Sequence, residues 1–129
     1  MKAVSTKQRT KLDLTDMTEA HCEARQEALN LIEQSIGVVW SRADDMKDDA
    51  PMAAITLMKV AHQAVTLAME GRTVALLEAA SCCLSEVRAV LRYVANDVND
   101  DAMWGALSLI KLSKKTLDST IGDPQAVTA

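Results

Sequence analysis

Apolar residues recur at helical spacing along most of the chain and divide it into four segments. The first covers residues 17–46, where the apolar positions follow one another in steps of three and four: Leu29, Ile32, Ile36, Val39, Ala43 and Met46. This spacing is typical of a helix that buries one face in a bundle. Gly37 interrupts the pattern, either to let another helix approach closely or at a cost of about 1 kcal/mol relative to Ala.

The other three segments repeat the same periodicity with different widths of apolar face. Residues 51–70 carry one narrow polar stripe, formed by Thr56, Lys59, Gln63, Thr66 and Glu70. Since almost everything else there is apolar, we expect that helix to be covered on most of its circumference. Residues 73–98 carry Leu77, Leu84, Leu91 and Val98 at intervals of seven, and residues 101–121 carry Met103, Leu107, Ile110, Leu117 and Ile121.

Residues typical of helix ends stand between the segments. Asp16 and Glu19 have the spacing of a capping box before the first segment. Asp48 and Asp49 are candidate N-caps of the second segment, and Gly71 ends it. The connections are short, and short connections between helices make neighbours antiparallel.

An internal similarity relates the first two segments to the last two at an offset of 52 residues. Asp48-Asp49-Ala50 falls on Asp100-Asp101-Ala102 without a gap, and Lys59 falls on Lys111. Chance similarity between amphipathic helices is the alternative, but the ungapped Asp-Asp-Ala start favours duplication. The sequence therefore predicts an all-α fold, an antiparallel four-helix bundle made of two related helical hairpins. Residues 1–15 are expected to be a flexible basic N-terminal arm, 16–122 the bundle domain and 123–129 a disordered tail.

Length and charge restrict the location and the partners. The chain has 129 residues and a net charge of −4; residues 1–11 carry +4, and the remainder carries −8. A body of that sign repels phosphate backbones, so nucleic acid is an unlikely partner. The N-terminus lacks the apolar stretch of a signal peptide, and no uninterrupted apolar run reaches the roughly 18 residues of a membrane span. We expect a cytoplasmic protein that does not bind membranes.

The chemically reactive side chains do not form a recognisable site in the sequence. Cys22, Cys82 and Cys83 are an odd number without C-x-x-C spacing, which suits reduced thiols. His21, Cys22 and Glu23 are consecutive, and a helix directs consecutive residues to different faces. His62 has no acid three or four residues away, so it is predicted to be a boundary residue and not a general base. We expect no catalytic residue, cofactor or metal, and the Asp clusters are explained by helix capping.

The few aromatic residues are the most informative surface positions. The chain contains two Trp, one Tyr, seven Met and no Phe. Trp and Met are enriched where proteins meet, although each could also pack locally under a helix end. The candidate protein-interface residues are Trp40, Met52, Val60, Leu67 and Trp104.

These observations favour a small non-enzymatic interaction protein. It would bind or sequester another protein, for example a transcription regulator or a client protein, through apolar helix faces, and would itself form a homodimer. The alternative is a ligand- or metal-carrying bundle or a thiol-based redox protein, supported only by isolated residues such as His62, Cys22 and Cys82.

Overall fold

The computed structural model describes the backbone of residues 2–44, 46, 49–71 and 74–121, and side chains from residue 20 onward. Within these residues there are four helices, and they are α1 (Lys2–Ala43), α2 (Ala50–Gly71), α3 (Val74–Val98) and α4 (Asp101–Ile121). The predicted tail at 123–129 lies outside the described residues.

The four helices pack antiparallel as a four-helix bundle, as the sequence predicted. α1 packs most extensively on α4, and α2 packs most extensively on α3; the α3–α4 and α1–α2 contacts complete the ring. α2 and α4 are therefore diagonal neighbours, and their solvent-facing sides point in opposite directions.

The predicted apolar faces form a single core. The largest fully buried side chains come from all four helices, and they include Ile32, Ile55, Met58, Leu84, Leu91, Ile110 and Leu117. No buried side-chain nitrogen or oxygen among the described residues lacks a hydrogen-bond partner. Val98, the last member of the predicted heptad in α3, is 38% exposed because the helix ends there.

The start of α4 follows the predicted local chemistry and the start of α1 does not, while Asp48, a predicted N-cap of α2, lies outside the described residues. α4 begins at Asp101, and the Asp100 carboxylate accepts a hydrogen bond from the Ala102 amide at 2.8 Å, which makes Asp100 its N-cap. α1, however, begins at Lys2 and not near Met17. The chain contains neither Gly nor Pro before Gly37, so no residue there interrupts the helix. The flexibility expected of residues 1–15 stays a prediction.

Of the two explanations offered for Gly37, the structure shows no close helix approach, since a Cβ built on it meets no atom within 4 Å. One local expectation was wrong. α2 is not covered on most of its circumference, because its seven buried residues all lie on one side: Pro51, Ala54, Ile55, Met58, Ala61, Val65 and Ala68. Three neighbours would be needed to cover a helix all round, and in this bundle α2 packs extensively on only two.

α2 is more apolar over its whole length than its short uninterrupted apolar runs suggested. It is the one helix, among the residues described, that is long and apolar enough to cross a membrane, with a mean hydropathy of 1.3. A third of that window (33%) is buried inside the bundle. Core helices of soluble proteins meet the same criterion, so this property by itself does not place α2 in a membrane.

Candidate interaction face

Three of the five predicted interface residues lie on the solvent-facing side of α2. It is the most apolar of the exposed helix sides that carry a predicted interface residue. We call it the α2 outer face, and it consists of Met52, Ala53, Thr56, Lys59, Val60, Gln63, Leu67, Glu70 and Gly71. Val60 is 52% exposed, Leu67 45% and Met52 42%. The seven-residue step from Val60 to Leu67 is two helical turns, which keeps both on the same side of α2.

Charged residues are sparse on the α2 outer face. It has nine exposed residues, of which only Lys59 and Glu70 are charged. α4 also has nine exposed residues, and four of them are charged: Asp101, Lys111, Lys115 and Asp118. The side of a helix that contacts only water normally carries many charged residues, as the exposed side of α4 does.

Trp40 extends this surface onto α1. Its side chain is 57% exposed, and the Lys59 ammonium lies 6.0 Å from the centre of its ring. That distance is at the outer limit of a cation–π contact. Trp40 therefore borders the α2 outer face, and the structure brings together four of the five predicted interface residues.

The fifth candidate lies elsewhere. Trp104 is in the first turn of α4 and is 37% exposed. α4 is diagonal to α2, so Trp104 does not belong to the α2 outer face. Three large apolar residues that the sequence analysis did not single out are also exposed: Val74, Tyr93 and Leu112. Helical periodicity places Tyr93 and Leu112 on the polar side of their helices, which is the signal that would have identified them, whereas Val74 is the first residue of α3.

His62 has an acidic partner that its own helix does not supply. Its Nε2 lies 2.8 Å from a carboxylate oxygen of Glu33 on α1. Together with Ile36 and Lys59, these two residues line a shallow groove of about 260 Å³ between α1 and α2. The sequence showed no acid near His62 because the partner is 29 residues away. One histidine and one carboxylate fall short of the three ligands of a metal site.

The three cysteines differ in their exposure to solvent. Cys82 is exposed, whereas Cys22 and Cys83 are partly buried, and all three are free thiols. The Cys83 thiol donates to the carbonyl oxygen of Leu57 on α2, 3.1 Å away. Burial, with a smaller contribution from Glu86, raises the pKa of the Cys83 thiol, so Cys83 is a poor nucleophile at neutral pH.

The part of the chain that the structure describes contains no grouping typical of a metal site. No three His, Cys, Asp or Glu side chains converge there as metal ligands would. No protein-family model, curated protein or solved structure matches this chain. The function is therefore inferred from the chain's own surface.

Proposed function

We propose that this chain is a small non-enzymatic interaction protein that binds protein through the α2 outer face, and that a second copy of the chain is its first partner. The observation that supports this is the exposure of Met52, Val60 and Leu67 on a helix side with only two charges. Large apolar side chains grouped on one exposed surface mark protein interfaces, because their burial removes apolar area from water.

The charges of the α2 outer face favour a second copy. Lys59 and Glu70 lie on the same edge of the face, eleven residues apart. If two α2 helices pair antiparallel about a two-fold axis near Gln63 and Ala64, Val60 of one copy lies opposite Leu67 of the other. Lys59 of each copy then lies close to Glu70 of the other copy. A self-complementary patch of this kind is what a two-fold dimer requires.

The test measures the mass of the assembly across a concentration series, by sedimentation velocity and native mass spectrometry. We expect the wild type to be a dimer. Val60→Asp and Leu67→Asp should yield monomers, because each would bury a carboxylate against an apolar surface. Leu112→Asp is the matched control: Leu112 is 48% exposed, close to the 52% of Val60, but lies on α4.

A charge exchange makes the test specific for the pairing. Lys59→Glu should weaken the dimer by placing it beside Glu70 of the other copy, and Lys59→Glu combined with Glu70→Lys should restore it. A wild-type monomer at every concentration would overturn the homodimer. Equal loss of assembly in the Leu112→Asp variant would show that the α2 outer face is not the interface.

We further infer that the bundle consists of two related hairpins, α1–α2 and α3–α4. The support is that the buried residues of α4 stand 52 positions after those of α2 in all seven cases: Met103, Ala106, Leu107, Ile110, Ser113, Leu117 and Thr120. The two most extensive helix contacts are α1–α4 and α2–α3. An operation that places α1 on α3 and α2 on α4 turns one of these pairs into the other. A duplicated hairpin that packs about a pseudo-two-fold axis has both properties.

A further inference from the structure

A second surface feature, a groove between α3 and α4, is unrelated to the α2 outer face. Its volume is about 430 Å³, within the range of small-molecule sites. Its polar lining comes from Ser85, Arg88, Arg92, Tyr93 and Asn96 of α3 and from Lys111 of α4.

The charge of the groove is opposite to that of the protein. Arg88, Arg92 and Lys111 place three cations in its lining, which contains no acidic residue. The whole chain has a net charge of −4. The groove between α1 and α2 differs in this respect, because Glu33 is present there beside Lys59 and His62.

The three cations are also without carboxylate partners. The ion pairs among the described residues are Arg42–Asp100, His62–Glu33 and Lys114–Asp118, and none includes a cation of this groove. Arg88 and Arg92 are four residues apart on one helix, and like charges at that spacing destabilise a helix. A bound anion would remove this repulsion.

The side chains that line the groove indicate which kind of anion it would bind. Arginine guanidinium groups bind phosphate oxygens in a bidentate manner, and Lys111 adds a positive charge from the opposite wall. The Ser85 hydroxyl and the Asn96 amide add neutral hydrogen-bonding groups. Tyr93 is 58% exposed, so its ring offers a flat apolar surface on which a planar ring can stack.

We propose that this groove binds a small phosphate ester that carries a planar ring, of the size and chemistry of a mononucleotide. Its phosphates contact Arg88, Arg92 and Lys111, and its ring stacks on Tyr93. A long polyanion fits less well, because it extends beyond the groove and the net charge of the protein, −4, repels it.

The experiment is calorimetric titration of the full-length protein with ATP at low ionic strength. Inorganic triphosphate is the phosphate-only probe, and a twelve-nucleotide oligothymidylate is the polyanion probe. Arg88→Gln and Arg92→Gln should each weaken ATP binding by about tenfold or more, since each removes charge-assisted hydrogen bonds. Tyr93→Leu should weaken ATP binding by about fivefold or more and leave triphosphate binding unchanged, whereas Tyr93→Phe should retain ATP affinity.

The controls separate a site from general attraction to positive charge. Arg88, Arg92 and Lys111 are exposed, so their variants should fold, which far-UV circular dichroism checks. Lys115→Gln removes the same charge as Lys111→Gln from the next turn of α4, outside the groove, and it should leave ATP binding unchanged. No ATP binding by the wild type, or equal weakening by Lys115→Gln, would overturn the proposal. If oligothymidylate bound more tightly than ATP and displaced it, the proposal would be overturned in favour of nucleic acid. If inorganic triphosphate bound with the same affinity as ATP, the stacking of a ring on Tyr93 would be refuted.

Discussion

The hydroxyl of Ser35 on α1 donates a hydrogen bond to the carbonyl oxygen of Ala106 on α4, 3.1 Å away. The reciprocal bond runs from the hydroxyl of Ser113 on α4 to the carbonyl oxygen of Ala28 on α1, at 3.0 Å. Both serines are fully buried. Serine in a helix commonly bonds to its own preceding turn, but here both hydroxyls cross to the neighbouring helix and fix how α1 and α4 pack.

Replacing either serine should therefore cost stability. We expect Ser35→Ala and Ser113→Ala each to lower the free energy of unfolding by about 1 kcal/mol, the net worth of a neutral hydrogen bond. Urea unfolding followed by circular dichroism measures this. Ser108→Ala on the exposed side of α4 is the control, and it should cause no loss because alanine favours the helix. If the buried variants matched that control, the inter-helix bonds would contribute nothing to stability.

Two exposed glycines inside helices should be replaceable with a gain. A Cβ added at Gly37 or at Gly105 meets no atom within 4 Å. We expect Gly37→Ala and Gly105→Ala each to raise the free energy of unfolding by about 0.5–1 kcal/mol, since alanine restricts the unfolded chain and favours the helix. Thermal and urea unfolding should both show the gain. A loss of stability in either variant would mean that another group occupies the space beside that glycine.

Asn99 ends α3 in the left-handed conformation, with φ of 50°. Its amide donates to the carbonyl oxygen of Ala95 at 2.9 Å, which is the bond of a helix C-cap. Because a Cβ disfavours this backbone region, we expect Asn99→Ala to lower the free energy of unfolding by about 1 kcal/mol. Asn99→Gly should stay within about 0.5 kcal/mol of the wild type. Equal destabilisation by both substitutions, measured by urea unfolding, would contradict a conformational origin.

The adjacent thiols of Cys82 and Cys83 should differ in reactivity. We expect iodoacetamide at pH 8 to alkylate Cys82 well before Cys83, because Cys82 is exposed and Cys83 has a raised pKa. A raised pKa lowers the thiolate fraction, so alkylation of Cys83 should accelerate only at higher pH than in the unfolded chain. Fragment-ion mass spectrometry distinguishes the two sites. In urea both should react at similar rates, and similar rates in the folded protein would refute the prediction.

If the bundle consists of two related hairpins, the chain should still fold when α3–α4 precedes α1–α2 in the sequence. The Arg25 guanidinium donates to the Thr120 hydroxyl at 3.1 Å, so the end of α4 lies beside α1 near that residue. The 52-residue offset relates Val74, where α3 begins, to Cys22. A permutant that runs from Val74 to Ile121, then through a copy of residues 70–73, and then from Cys22 to Gly71 should therefore form the same bundle.

Circular dichroism and cooperative urea unfolding check the permutant against the linear chain 22–121. We expect equal helicity and a single unfolding transition. A control permutant opened inside α3, between Leu84 and Ser85, should fail to fold, because it breaks a helix across a fully buried residue. If neither permutant folded, the two hairpin junctions would not be equivalent.

Periodicity and turn residues were sufficient to predict much of the fold. The start of α4 at Asp101, the end of α3 at Val98 and the end of α2 near Gly71 all follow from local signals. Local signals suffice there because capping and backbone conformation depend on residues within one turn. The start of α1 was predicted poorly, since a capping sequence permits a helix to begin but does not prevent it from extending upstream.

The candidate site depended on contacts between residues distant in sequence. The sequence identified Met52, Val60 and Leu67 as unusually apolar but predicted them to be on a covered helix. It also gave His62 no acidic partner, whereas Glu33 supplies one from α1. The pairing of Arg88 and Arg92 with Lys111 around one groove was equally hidden, because it joins α3 to α4.

Local sequence patterns are therefore sufficient to specify antiparallel helices with one apolar side each. The period of 3.6 residues is a property of each helix alone, and it states which residues face a core. Which helices become neighbours is set by packing in the folded protein, and that packing also sets which side of α2 stays in water and which cations share a groove. Those outcomes depend on packing between helices, where Ser35 and Ser113 bond across the α1–α4 contact, and no single helix contains that information.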